Sequence, residues 1–144
     1  MAVAGSTALL VNIDVDDLPR AEAFYRAAFG LKPGRRFGSG GVELLGSSSP
    51  IYLLLKLPGS APAAGVTPGR DYRRHWTPVH LDFVVDDIDE AVSRAVAAGA
   101  TLESPPKAAA WGTLAPLADP FGHGFCLIQF LGRGYDEIAT NAEP

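Results

Sequence analysis

The side chains best equipped for chemistry in this chain are His80, Asp82 and Cys126, with His75 and His123 as further nitrogen donors. His80 and Asp82 stand two apart in the alternating run Val79-His80-Leu81-Asp82-Phe83-Val84-Val85. Strand periodicity puts both on one face, roughly 6 to 7 Å apart at the backbone, so both can address one bound molecule. A neutral imidazole beside a carboxylate can take up a proton near neutral pH. The same pair can equally be a self-satisfied hydrogen-bonded couple in a polar pocket, with no part in catalysis. Cys126 sits in the apolar run Phe125 to Phe130, where a cysteine more often serves as a small core residue, and no sequence neighbour supplies a charge that would activate it. His123 belongs to the turn Asp119-Pro120-Phe121-Gly122-His123, in which Asp119 is expected to fix the turn through its side chain while His123 meets backbone, water or a ligand. Phe37, Tyr52, Trp76 and Trp111 could wall a pocket for a flat or apolar ligand. Core packing accounts for any single one of them equally well.

These residues need elements to position them. The strand carrying His80 ends at Asp86-Asp87, and Asp87 with Glu90 three residues on reads as a capping box for a helix. Ile88, Ala91, Val92, Ala95 and Val96 form its apolar stripe, and Gly99 stops it. Strands are then expected near Ala100 to Glu103, Trp111 to Leu117 and Phe125 to Phe130. The unit is strand, helix and three strands.

That unit occurs twice. Moving Val85-Asp86-Asp87-Ile88 back by 70 positions lands on Val15-Asp16-Asp17-Leu18, and Ala91 lands on Ala21. In the first copy Leu9 to Val15 is a strand with Val11, Ile13 and Val15 on one face and Leu10, Asn12 and Asp14 on the other. Asp16 or Asp17 caps a helix with Pro19 in its first turn, Leu18, Ala21, Phe24, Tyr25, Ala28 and Phe29 form the buried stripe, and Gly30 ends it. Strands from Gly34 to Phe37 and Gly41 to Leu45 flank a hairpin turn at Gly38-Ser39-Gly40-Gly41, which no helix start follows as a phosphate loop would require. Ile51 to Leu57 closes the copy. Residues 58–78 are rich in Pro, Gly and Ala, and their end, Arg70 to Trp76, reads as a solvated loop or as a lid.

Bulk properties narrow the function. The 144 residues are long enough for a real core, and 47% hydrophobic content agrees. A net charge of −4 without a broad basic stripe makes nucleic acid a poor partner. The single cysteine excludes an intrachain disulfide framework, and the N-terminus shows neither a basic leader nor a long apolar run. The expected compartment is the cytoplasm, with no membrane association.

The tandem order of elements, the strand leading into Val85-Asp86-Asp87-Ile88, the helix exit Ala98-Gly99-Ala100 and Asp119-Pro120-Phe121-Gly122-His123 before the last strand resemble the vicinal oxygen chelate superfamily. Glyoxalase I, bleomycin-resistance proteins and extradiol dioxygenases belong to it. The resemblance covers about residues 8 to 131 and implies an α+β fold of two βαβββ modules, with curved sheets around a cavity and the helices outside. Metal-dependent members draw four ligands from four strands. The resemblance puts His80 at one of these positions, Leu10 at its equivalent in the first module, Cys126 on the last strand, and Tyr52 or Leu54 at the fourth. Leucine cannot ligate, and a thiolate is a poor substitute at a hard-oxygen position.

The chain is therefore expected to be one glyoxalase-like domain over residues 1–144: a first module at 8–57, a linker or lid at 58–78, a second module at 79–131 and a tail at 132–144. Its expected activity is binding a small organic molecule in the inter-module cavity without a tightly held metal. The expected contacts are His80, Asp82, Asn12, Asp14, Phe37, Tyr52, Leu54, Trp76, Trp111 and Cys126. The alternative is a glyoxalase-type lyase or isomerase, with His80 as acid-base residue oriented by Asp82. In a further version a divalent metal is held by His80 and Cys126, with help from Asn12, Asp14, His75 or His123. The resemblance also implies a homodimer.

Overall fold

In the computed structural model of the chain, which describes residues 6–140, the duplicated pattern becomes two mixed sheets, each with one helix packed on one face. The expectations for residues 1–5 and 141–144, at the two ends, lie outside the described residues. The backbone divides into two compact units, one ending at Tyr72 and the next beginning at Arg73.

The first unit runs β1 (Val11–Val15), α1 (Leu18–Phe29), β2 (Lys32–Phe37), β3 (Gly41–Leu45) and β4 (Ile51–Leu55). Its sheet order is β1-β4-β3-β2, with β1 parallel to β4 and the other pairs antiparallel. Of the two candidate caps, Asp17 does the work: its carboxylate accepts from the Arg20 amide at 3.1 Å, a contact of a kind that contributes about 1 kcal/mol. Gly30 takes the left-handed conformation at φ 67° that ends the helix. Val15, Ala21, Phe24, Val42, Leu44 and Leu53 are almost completely buried, and Tyr25 meets Phe24 edge-on at 4.8 Å between ring centres.

The second unit runs β5 (Leu81–Val84), α2 (Ile88–Ala98), β6 (Thr101–Leu102), β7 (Lys107–Ala109), β8 (Gly112–Ala118) and β9 (Gly124–Phe130). The order is β5-β9-β8-β6, with β7 also on β8 and β5 parallel to β9. Asp87 caps α2 by accepting from the Glu90 amide at 3.1 Å. The Ile88 amide, another helix-end donor without an intrahelical partner, is met by the Gln129 side-chain oxygen from β9 at 2.9 Å. Ile88, Ala91 and Ala95 are the buried residues of α2, at the positions that Leu18, Ala21 and Tyr25 hold in α1.

Several boundaries differ from expectation, β2 starting at Lys32 instead of Gly34 among them. The opening strands start two residues late, so Leu9 and Leu10, and likewise Val79 and His80, precede the ladder. The closing strand of the first unit stops at Leu55, short of Leu57. The strand expected only at Ala100 to Glu103 is a broken one: β6 and β7 both pair with β8, and Pro105-Pro106, which lack ladder donors, lie between them. The three-strand count of the repeat survives, with its outer strand in two pieces. Beyond β9, in the segment expected to be a tail, Gly134–Glu137 forms a short 3-10 helix, and Tyr135 packs on Trp111 and Phe130 at 5.2 and 4.8 Å.

On the face of the first sheet opposite α1, a polar row crosses three strands. Asn12 lies opposite Tyr52, and Tyr52 opposite Glu43. The buried Glu43 carboxylate receives the Arg35 guanidinium at 2.7 and 3.1 Å, the Arg35 amide at 2.9 Å and the Tyr52 hydroxyl at 2.8 Å. Hydrogen bonds from the Arg35 guanidinium, followed by those from its amide and from Tyr52, hold the Glu43 carboxyl at about 2. A depressed carboxyl stabilises the fold above its unfolded value near 4.5, and that contribution fades as pH falls towards about 2. Urea unfolding of the parent and of Glu43→Gln should therefore show a stability gap that is constant from pH 7 to 5 and shrinks between pH 5 and 2. A gap independent of pH would refute the charge-based account.

Candidate functional site

The equivalent row of the second sheet is the place where reactive groups meet. Asp82 on β5 lies directly opposite Cys126 on β9, and Cys126 opposite Pro116 on β8. The alternation expected for this strand holds: Leu81, Phe83 and Val85 are half-buried, with the Phe83 ring against Phe125 at 5.8 Å, while Asp82 and Val84 are exposed. His80, one residue before β5, turns its Nε2 to within 3.2 Å of Asp82 Oδ1. One donor atom each from His80, Asp82 and Cys126 lie within 4.8 Å of one another. Parallel pairing thus brings together residues 44 and 46 positions apart in the sequence.

The electrostatics favour a protonated thiol. Burial, then the neighbouring Asp82 charge and hydrogen bond, push Cys126 up to about 11. Cys126 is 5% exposed, and at neutral pH it is a proton donor to Asp82 instead of a thiolate.

An aromatic edge flanks the group. Trp76 meets the His80 ring edge-on at 5.5 Å, and its indole ring lies so close over Gly124 that a Cβ there would approach to 2.5 Å. Its N–H donates to Glu103 at 2.9 Å, Glu103 also pairs with Arg74, and the Arg74 guanidinium sits 5.0 Å from the Trp76 ring centre. Hydrogen bonding from Arg74 is the main reason the Glu103 carboxyl is lowered. The segment Arg70 to Trp76 is accordingly tied at both ends. Arg70 pairs with Asp14 at 2.7 Å and the Tyr72 hydroxyl donates to the Lys56 carbonyl at 2.7 Å, while Arg74, His75 and Trp76 bond within the second unit.

The other expected site residues are distributed more widely. Asn12 is exposed beside Tyr52, Asp14 is engaged by Arg70, and Leu54 lies opposite Asp14 and Gly41. Phe37, 47% exposed at the end of β2, leans on Tyr52 at 6.2 Å. Trp111 is not near the His80 group: it precedes Gly112, four residues along β8 from Pro116, roughly 13 Å of strand. It packs with Phe130 and Tyr135 instead. Asp119 fixes its turn as expected, accepting from the Phe121 and His123 amides at 2.8 and 2.9 Å. Arg35, Glu43, Arg74 and Glu103 carry much of the polar structure and were not expected, because their partners are distant in sequence. Only the basic-aromatic density of Arg70 to Trp76 was a signal.

Strand pairing also relates Tyr52 of the first unit to Cys126 of the second. Asn12 and Asp82 are 70 apart, and their partners across the parallel ladders are Tyr52 and Cys126, so Tyr52 is the counterpart of Cys126. Its hydroxyl is bonded to Glu43 and Arg35. Among the described residues, His80, Asp82 and Cys126 form a group of three donors that could hold a divalent ion, a nitrogen, oxygen and sulfur set suited to Zn²⁺ more than to Mn²⁺ or Mg²⁺.

Comparison with known proteins agrees with this architecture. The anthracycline biosynthesis protein DauV of Streptomyces sp. (strain C5) is 33% identical over 135 residues, covering 92% of this chain and 44% of that protein. The chain thus spans less than half the length of this relative. A glyoxalase/bleomycin resistance protein/dioxygenase family enzyme from Burkholderia phytofirmans superposes with a TM-score of 0.64 at 26% identity, covering 85% of this chain and 97% of that one. The fosfomycin resistance protein FosX of Listeria monocytogenes shares the fold, with a TM-score of 0.67 at 18% identity over 93% of this chain and 98% of that one. Among the described residues no helix is long and apolar enough to cross a membrane. Residues 10–128 match the glyoxalase-like domain, and the chain belongs to that family within the vicinal oxygen chelate superfamily.

Proposed function

We propose that this chain binds a small, flat organic molecule at the His80–Asp82–Cys126 face of its second sheet, without requiring a tightly held metal. The observation that carries this reading is the convergence of one imidazole, one carboxylate and one neutral thiol beside the half-exposed Trp76 ring. Trp76 supplies stacking area, His80 Nδ1 and the Asp82 carboxylate supply polar anchors, and the Cys126 thiol supplies a small, apolar floor. Two of the four family ligand positions, Leu10 and Tyr52, offer a metal nothing usable, because one is aliphatic and the other is committed to Glu43. A relative named for anthracycline biosynthesis supports a polycyclic aromatic ligand class. Cytoplasmic location and a paired state as a homodimer belong to the same reading.

A second reading rests on the three donor atoms within 4.8 Å: a glyoxalase-type lyase or isomerase in which His80, Asp82 and Cys126 hold a divalent ion. Such an ion, when bound, polarises substrate oxygens. Its binding must expel the proton from Cys126, so its affinity falls about tenfold for each unit of pH below the thiol value. In the metal-free form of catalysis, His80 Nδ1 moves the proton, because Nε2 is turned to Asp82, which orients the ring.

Tryptophan fluorescence titrated with an anthracycline checks the first reading. Saturable quenching is expected in the parent and in Trp111→Phe, with at least a tenfold weaker midpoint in Trp76→Phe and in His80→Ala. No saturable quenching removes the ligand class. One metal per chain, lost in His80→Ala, would favour the second reading, and loss of turnover in His80→Ala would distinguish an enzyme from a binding protein.

The thiol offers an independent check on the geometry. Asp82→Asn removes the charge that helps hold the Cys126 proton, so the thiol value falls and alkylation by iodoacetamide at pH 8 should quicken several-fold. An unchanged or slower rate would show that Asp82 does not govern the thiol.

A further inference from the structure

A second donor pair lies in the same unit, outside the group described above. The segment around His75 runs parallel to the turn residue His123 as an isolated bridge: the His75 amide donates to the Gly122 carbonyl at 2.9 Å, and the Gly124 amide donates to the His75 carbonyl at 3.2 Å. The His123 backbone is held from its other side by Asp119, whose side chain accepts from the His123 amide and whose own amide donates to the His123 carbonyl, each at 2.9 Å. Both imidazoles therefore stand on backbone that is already anchored. Both rings are half-buried, leaving part of each open to water.

Their ring nitrogens converge. His75 Nε2 and His123 Nδ1 are 3.4 Å apart, with the ring planes at 89°. The Nδ1 of His75 is 2.8 Å from the Arg73 carbonyl, which can only accept, so that nitrogen carries the proton and the Nε2 lone pair points at His123. A carbonyl on the far nitrogen is the arrangement that orients metal-bound histidines. Without an ion, His123 Nδ1 can donate to that lone pair only weakly, because 3.4 Å is long beside the usual ~2.7–3.2 Å. The separation matches the spacing of two nitrogens on one tetrahedral ion, about 3.4 Å for metal–nitrogen bonds near 2.05 Å. Two cis nitrogens on an octahedral or square-planar ion would stand closer, about 2.9 Å. The adjacent Arg74 charge is compensated by its pairing with Glu103.

We propose that His75 and His123 form a bidentate site for a tetrahedral divalent ion, of the Zn²⁺ or Co²⁺ type, with the two remaining positions open to water or to an oxygen or nitrogen ligand. The site is separate from His80, Asp82 and Cys126 and takes no sulfur ligand.

Titration of the whole chain with Co²⁺, under reducing conditions and followed by visible absorption, tests this. The expected result is one ion per chain with the intense absorption of tetrahedral Co²⁺, displaced by Zn²⁺ and lacking a sulfur-to-metal charge-transfer band. His75→Gln and His123→Gln should each weaken it at least tenfold, and the His80→Ala, Cys126→Ser double variant should keep it. A charge-transfer band lost with Cys126→Ser, or weak octahedral absorption indifferent to both glutamine variants, would overturn the site. If a glutamine variant fails to fold, imidazole nitrogen shifts in the parent decide: Zn²⁺ should move His75 Nε2 and His123 Nδ1, and no movement of either overturns the proposal.

Discussion

Each unit depends on one pairing, between its first strand and its last, which run parallel although all the other pairs are antiparallel. Parallel neighbours cannot be joined by a tight turn, so the chain must travel out through a helix and come back before the ladder can close. The helix pays for its place by covering one face of the sheet. The opposite face then displays, side by side, residues from the two ends of the unit, and only there do Asp82 and Cys126, or Asn12 and Tyr52, become neighbours.

The two copies of this frame have gone different ways. In the first, Glu43, Tyr52 and Arg35 close on one another, and the carboxylate is saturated by four hydrogen bonds from two residues, Arg35 and Tyr52. That arrangement stabilises a sheet face and leaves no lone pair poised for a cation. In the second, the position of Glu43 is taken by Pro116, which has no side-chain donor or acceptor. Asp82 and Cys126 consequently satisfy each other, and His80 reaches in from outside the ladder. The reactive potential of the second unit thus follows from the polar partners it lacks as much as from the residues it has.

Local signals made much of this legible. Caps such as Asp87, terminators such as Gly30 and the two-residue alternation through Leu81 and Phe83 act within one turn or one strand, so their spacing identifies the elements. The 70-residue shift relates β1 to β5 for the same reason. Register across the parallel ladder was not legible. It links residues more than forty positions apart, and Asp82 was read as a neighbour of His80 without being recognised as the neighbour of Cys126. The division of the outer strand at Pro105-Pro106 was also missed, because a three-residue strand such as Lys107–Ala109 carries too few residues for a period. The seven residues from Arg70 to Trp76 looked like a loop or lid by composition. Their pairing with Asp14, Glu103 and His123 is tertiary, and no local rule encodes it.

The proton on Cys126 separates the two chemistries available to this face. A neutral thiol is cheap to bury and would let a flat molecule lie against it, beside the Asp82 side chain that holds its proton. A cation at the same place competes against that proton and against the hydrogen bond that holds it, and its grip weakens with every step towards acid. At His75 and His123 no such thiol has to be emptied first. The nitrogen of His75 that faces its neighbour already presents a lone pair, because the Arg73 carbonyl holds the proton on the other side of the ring. On the proposed readings the organic ligand and the ion would go to different places within one unit, because an ion at Cys126 must displace a thiol proton whereas at His75 and His123 it would meet imidazole nitrogens alone.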